Sequence, residues 1–166
     1  MALRIVSCPE DAPPFEVDAV AAEEDTWLVL SADPVATEPE EGLEEILAAA
    51  RQAQPEPPGS VVVLEGRPLR LLAVVHDLSR EPTWREEWVA SALAAILAEC
   101  EARGIRSLAL PPLGARHGSL APPRFEELLA EALRAAPPLR LERLWLVVPP
   151  GPQGPKPPDT SRTASR

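Results

Sequence analysis

Between Gly59 and Leu133 the sequence alternates two hydrophobic periods, and that alternation limits the possible folds more than any other feature. "GSVVVLEGRPLRLLAVVHDL" reads as two β-branched, leucine-rich runs joined by an "EGRP" turn. "TWREEWVASALAAILAECEARG" predicts a helix with Val89, Leu93, Ile96, Leu97 and Cys100 on one face and Gly104 as its terminating glycine. "IRSLALPPL" predicts a strand, and the helix expected after it carries Phe125, Leu128, Leu129, Ala132 and Leu133 on one face. "LERLWLVVP" predicts a closing strand. Strands that are apolar almost throughout, separated by amphipathic helices, belong to a sheet covered on both faces. The expected class is α/β: a three-layer α/β/α sandwich with a central mixed, largely parallel sheet.

Upstream the signals are shorter. "LRIVS" and "EVDAVAA" are strand candidates, and "EEGLEEILAAARQA" places Leu43, Ile46, Leu47 and Ala50 on one helix face. The acidic run before it suits a solvated helix start, where the dipole favours negative charge. From Pro150 the chain reads "PGPQGPKPPDTSRTASR", with five prolines and no large apolar residue. Such a segment buries too little surface to order itself. The expected organisation is one domain over residues 1–149 and a disordered, proline-rich tail over 150–166.

The chain has 166 residues and a net charge of -10. That length suits one core. The charge argues against non-specific nucleic-acid binding and against an anionic membrane surface, both of which need a basic face. Two cysteines, Cys8 and Cys100, and two histidines, His76 and His117, make no readable metal cluster. The cysteines read as buried free thiols. No signal peptide or membrane-length apolar run is visible, so a cytoplasmic location is expected. No P-loop, serine elbow or paired-carboxylate motif appears, and no cofactor is implied.

One stretch carries more chemistry. In "SLALPPLGARHGSLAPPRFEELL" a strand breaks into Gly114-Ala115-Arg116-His117-Gly118 and a helix follows. In α/β sheets ligands bind beyond the carboxyl ends of the strands, where such turns present backbone N–H groups to phosphates. This stretch, with "PGSVVVLEGRPLRLLAVVHDL" before it, resembles the macrodomain pattern G-x-V-x-x-T-x-G, V-I-H, helix, G-I-x-S-I-A-x-P-x-L-G-x-G. "EDAPPFEVDAVAAEED" is similar to the same family's G-D-I-T-x-x-x-V-D-A-I-V-N-A-A-N, with Asp11 and Asp18 at the family's spacing. The likeness spans most of residues 3 to 149.

The resemblance implies a module for ADP-ribose or a related nucleotide. It places Asp11 at the adenine amino group and Asp25 at the second asparagine of N-A-A-N, near the distal ribose, with Ala22 at the first. The first phosphate loop falls on "SADPVA", including Ser31, Ala32 and Asp33. The second falls on Gly114, Ala115, Arg116, His117 and Gly118, with Arg116 where a glycine is usual. The departures matter chemically. "SADP" has no glycine, Pro34 has no N–H and Asp33 adds a charge that repels phosphate. Asp25 replaces a donor-and-acceptor amide with an acceptor alone.

The implied function is therefore binding without catalysis. Two alternatives stay open: a structural or protein-interaction unit, and an ADP-ribosyl hydrolase. Arg116 either supplies a guanidinium to a phosphate or folds over the cleft to pair with Asp33 or Asp25. His117 reads as a solvated loop residue, and His76 as a structural one at a strand end. Asp11 fits either an adenine contact or a turn. Asp18 reads as structural. Trp84 and Trp88, one helical turn apart, read as packing residues.

Overall fold

The computed structural model describes residues 2–30 and 54–149. Within them run β1 (Arg4–Pro9), β2 (Ala19–Asp25), β3 (Val61–Leu64), β4 (Leu69–His76), α1 (Glu86–Arg103), β5 (Ser107–Leu110), α2 (Pro122–Ala135) and β6 (Arg143–Val148). The strand order across the sheet is β1-β6-β5-β2-β4-β3. All neighbours pair in parallel except β3 and β4, the hairpin joined by the "EGRP" turn. The fold class is α/β with a mixed, mainly parallel sheet, as expected. The loop at Ser31–Ala36, the helix expected over Glu40–Ala53 and the tail over 150–166 lie outside the described residues.

The core follows the side-chain periods. Val89, Leu93, Ile96, Leu97 and Cys100 of α1 are buried, as are Phe125, Leu128 and Leu129 of α2. They pack on one sheet face with Ala19, Ala21, Leu71, Ala73, Val75, Leu108, Leu110 and Leu144. Alternation sends Leu72, Val74 and Trp145 to the other face, and these are buried too. Gly104 ends α1 in the left-handed conformation (φ 67°). A glycine adopts that geometry without the Cβ penalty.

Three boundaries differ from the sequence reading. β2 covers Ala19–Asp25 rather than Glu16–Ala22, because Asp18 is committed at the sheet's amino edge. Its Oδ2 accepts N–H bonds from Arg106 (2.9 Å) and Ser107 (3.1 Å), and its carbonyl accepts Leu69 N–H (2.9 Å). Asp18 thus ties together the approaches to β2, β4 and β5, in keeping with the structural role expected of it. β5 stops at Leu110, since Pro111 and Pro112 have no N–H to continue a ladder. α1 begins at Glu86, and Trp84 pairs instead with His76 in an isolated antiparallel bridge. Trp84 and Trp88 therefore do not share a helical turn.

Candidate functional site

Because β1, β6, β5, β2 and β4 run parallel, their carboxyl ends share one edge of the sheet. Asp11 follows β1 there, Asp25 ends β2, His76 ends β4, and the Gly114–Gly118 turn follows β5. The topology thus gathers at one edge Asp11, Asp25 and the glycine turn, with His76, read from the sequence as structural, beside them.

The turn is held by its glycines. Gly114 has φ 79°, and a Cβ there would meet the Val89 and Leu120 side chains. A Cβ on Gly118 would run into the Gly114 carbonyl oxygen and lie 2.8 Å from the Trp84 ring. Trp84 packs on that face and donates from Nε1 to Ser119 Oγ at 3.2 Å. Leu113 and Leu120, on either side of the turn, are buried in the core.

This shape aims backbone N–H groups at one point, and a carboxylate stands there. Glu23 Oε2 accepts Gly114 N–H at 3.2 Å, while Oε1 accepts Arg116 N–H at 3.0 Å and His117 N–H at 3.3 Å. His76 Nε2 lies 2.6 Å from Oε2. Strand alternation places Glu23 on the face of Ala19 and Ala21, the face on which the turn packs. His76 is fully buried, and its Nδ1 has no hydrogen-bond partner among the described residues. A proton on Nδ1 would be buried without an acceptor, so Nε2 is assigned the proton and donates to Glu23. Burial of a carboxylate is tolerated when donors surround it, as they do here.

The next two residues make a second carboxylate-centred turn. Asp25 Oδ1 accepts Trp27 N–H at 2.7 Å, and Oδ2 accepts Val29 and Leu30 N–H at 2.8 and 2.9 Å. Glu24 is fully buried and its Oε1 accepts Leu30 N–H at 2.8 Å. Burial acts to raise the Asp25 pKa, but the N–H groups of Trp27, Leu30 and Val29 and the bond with Glu24 outweigh it and hold the carboxyl below its usual range.

The expected site residues divide accordingly. Gly114, Arg116 and His117 direct N–H groups at Glu23, whereas Ala115 N–H bonds the Pro112 carbonyl and Gly118 serves by close approach. The Arg116 side chain is exposed and makes no ion pair with Asp25, so that pairing does not form. The exposed His117 ring sits edge-on to His76, with centroids 6.1 Å apart. Asp11 is exposed in a turn in which Ala12 N–H bonds the Pro9 carbonyl. Ser31, Ala32 and Asp33 lie outside the described residues.

Sequence reasoning missed Glu23, Glu24 and the place of Trp84. The available signal was three consecutive acids at the end of an apolar strand, where the family pattern has A-A-N. Beside the turn, a cavity of about 30 Å³ between Leu110, Phe125, Leu146 and Val148 has room for little more than a water molecule. A hollow of about 940 Å³ opens at the opposite edge between Phe15, Asp18, Arg67 and Trp145, away from the turn. Among the described residues, no group of His, Cys, Asp and Glu side chains is arranged to hold a metal ion, and no helix is long and apolar enough to cross a membrane.

A family model described as Macro domain matches residues 36–129. Among solved structures, the macrodomain of Thermus aquaticus DarG is similar at 25% identity and a TM-score of 0.59, covering 89% of this chain and 99% of that one. A Trypanosoma brucei macrodomain in complex with ADP matches at 13% identity and a TM-score of 0.62, covering 89% of this chain and 65% of that one. An Oceanobacillus iheyensis macrodomain mutant with ADPR matches at 15% identity and a TM-score of 0.58, covering 87% and 82%. No curated protein matches the sequence.

Proposed function

The chain belongs to the macrodomain family, and from that premise we propose that it is a non-catalytic module for ADP-ribose or a related nucleotide. The observation that carries the reading is the convergence of Gly114, Arg116 and His117 N–H groups on a single anionic group at the carboxyl edge of the sheet. A loop that closes several N–H donors on a carboxylate has the donor geometry that a phosphate uses. The ligand class comes from the family and from the ADP and ADPR named for two neighbours. In this reading Asp11 meets the adenine and the exposed Arg116 guanidinium reaches the phosphates from the rim.

The absence of catalysis rests on the state of the carboxylates. Hydrolysis needs a base with a lone pair free for water. Asp25 accepts N–H bonds at both oxygens, and Glu23 does the same. The N–H donors hold the Asp25 carboxyl below the usual carboxylate range, which makes it a weak base. Calorimetry and thermal unfolding with ADP-ribose and ADP test the binding: heat and a raised midpoint at millimolar ligand are expected, and the absence of both effects would overturn it. Incubation with ADP-ribosylated protein is expected to release nothing.

Two observations favour a second reading, a structural or protein-interaction unit. The loop donors are already satisfied by the chain's own carboxylate, and Trp27 and Val29 beside the site are 50% and 58% exposed. Failure of both nucleotides to bind would leave this reading in place.

A further inference from the structure

We propose that Glu23 is an internal anion competing with a ligand's phosphate for the Gly114–His117 loop, and that it thereby sets how tightly this chain holds a nucleotide. The inference rests on the nucleotide-binding reading for its ligand but on separate observations for its mechanism. The Glu23 carboxylate and a phosphate oxygen are acceptors of the same class for the same N–H groups. They cannot share the loop, because like charges a few ångströms apart repel strongly where water is partly excluded. Glu23 is also tethered, so it competes at a high effective concentration that no free ligand matches at low dose.

The loop does not depend on Glu23 for its shape. Gly114 and Gly118 are fixed by contacts to Leu120, Trp84 and each other, and Leu113 and Leu120 anchor both flanks in the core. Removing the carboxylate therefore leaves the donors in place with nothing to bind. His76 reinforces the point: with no acceptor for Nδ1 among the described residues, its Nε2–H is a further donor aimed at the same position. The family pattern N-A-A-N has alanine where Glu23 stands, so Glu23→Ala restores the family residue.

The test compares wild type, Glu23→Ala and Glu23→Gln in calorimetric titrations with ADP-ribose, ADP and inorganic pyrophosphate. Glu23→Ala is expected to bind all of them roughly tenfold tighter or more, with Glu23→Gln between it and wild type. Formate, acetate and phosphate are expected to raise the unfolding midpoint of Glu23→Ala by refilling the loop, and to leave the wild-type midpoint unchanged. A wild type that binds ADP-ribose as tightly as both variants overturns the inference and leaves the function standing. Gain of pyrophosphate binding without ADP-ribose binding supports the inference and overturns the nucleotide reading. No binding of any anion to any variant overturns both. Should Glu23→Ala fail to fold, Glu23→Gln carries the comparison, because its amide keeps the volume and removes the charge.

Discussion

Gly118 shows how much one missing methyl group decides. Its Cβ position is taken by the Gly114 carbonyl and the Trp84 ring. Backbone cannot yield there as a flexible side chain would, so Gly118→Ala is expected to destabilise the domain by about 2 kcal/mol. It should also disturb the amide resonances of Gly114, Arg116 and His117; unchanged stability would show that the turn tolerates a wider opening. Asp25 gives the pH dependence its sign. Its carboxyl is held below the usual carboxylate value, so the stability it contributes is present above the unfolded-state value, about 4, and is lost as pH falls through the folded one. Thermal unfolding between pH 6 and pH 2 should show wild type losing more stability than Asp25→Asn over that fall. The glycines of the turn were legible in the sequence because glycine has few other reasons to bracket a strand-to-helix junction. The anion inside was not, since nothing in "AAEEDT" says that its acids point inward until a set of donors is placed beside them.

At the scale of elements, local period and terminators carried most of the information. The apolar face of α1 and its glycine stop were both readable, and the stop can be tested alone. Gly104 has φ 67°, and its Cβ would meet nothing nearer than Arg140 Nη1 at 3.7 Å. Gly104→Ala is therefore expected to cost about 1 kcal/mol through backbone strain only, measurable by denaturant unfolding. A loss several times larger would mean that packing, and not φ, sets the requirement. The hairpin of β3 and β4 was readable from its turn. The start of β2 was not, because Val17 and Asp18 look like strand residues and only the long-range bonds from Asp18 to Arg106 and Ser107 show that the approach to the sheet uses them. Trp84 misled for the same reason: its helical spacing to Trp88 is real, but its pairing with His76 lies across the fold.

On the scale of the molecule, the core on the helix-covered face joins both helices to the sheet, and Cys100 lies inside it. Burial, with the nearby Glu99 and Glu101 adding to it, pushes the Cys100 thiol up to about 12. The reactive thiolate is thus scarce at neutral pH and reagents reach it only when the core opens. Labelling of Cys100 is expected to proceed at the rate of global unfolding and to quicken with denaturant; rapid labelling of the native protein would contradict the burial. Trp84 gives the domain another property. Its indole lies against the glycine turn and bonds Ser119, while its backbone bridges to the histidine that holds Glu23. Any rearrangement of the turn changes the surroundings of that ring, so the emission of Trp84 is a built-in optical signal of whether the turn keeps its closed shape.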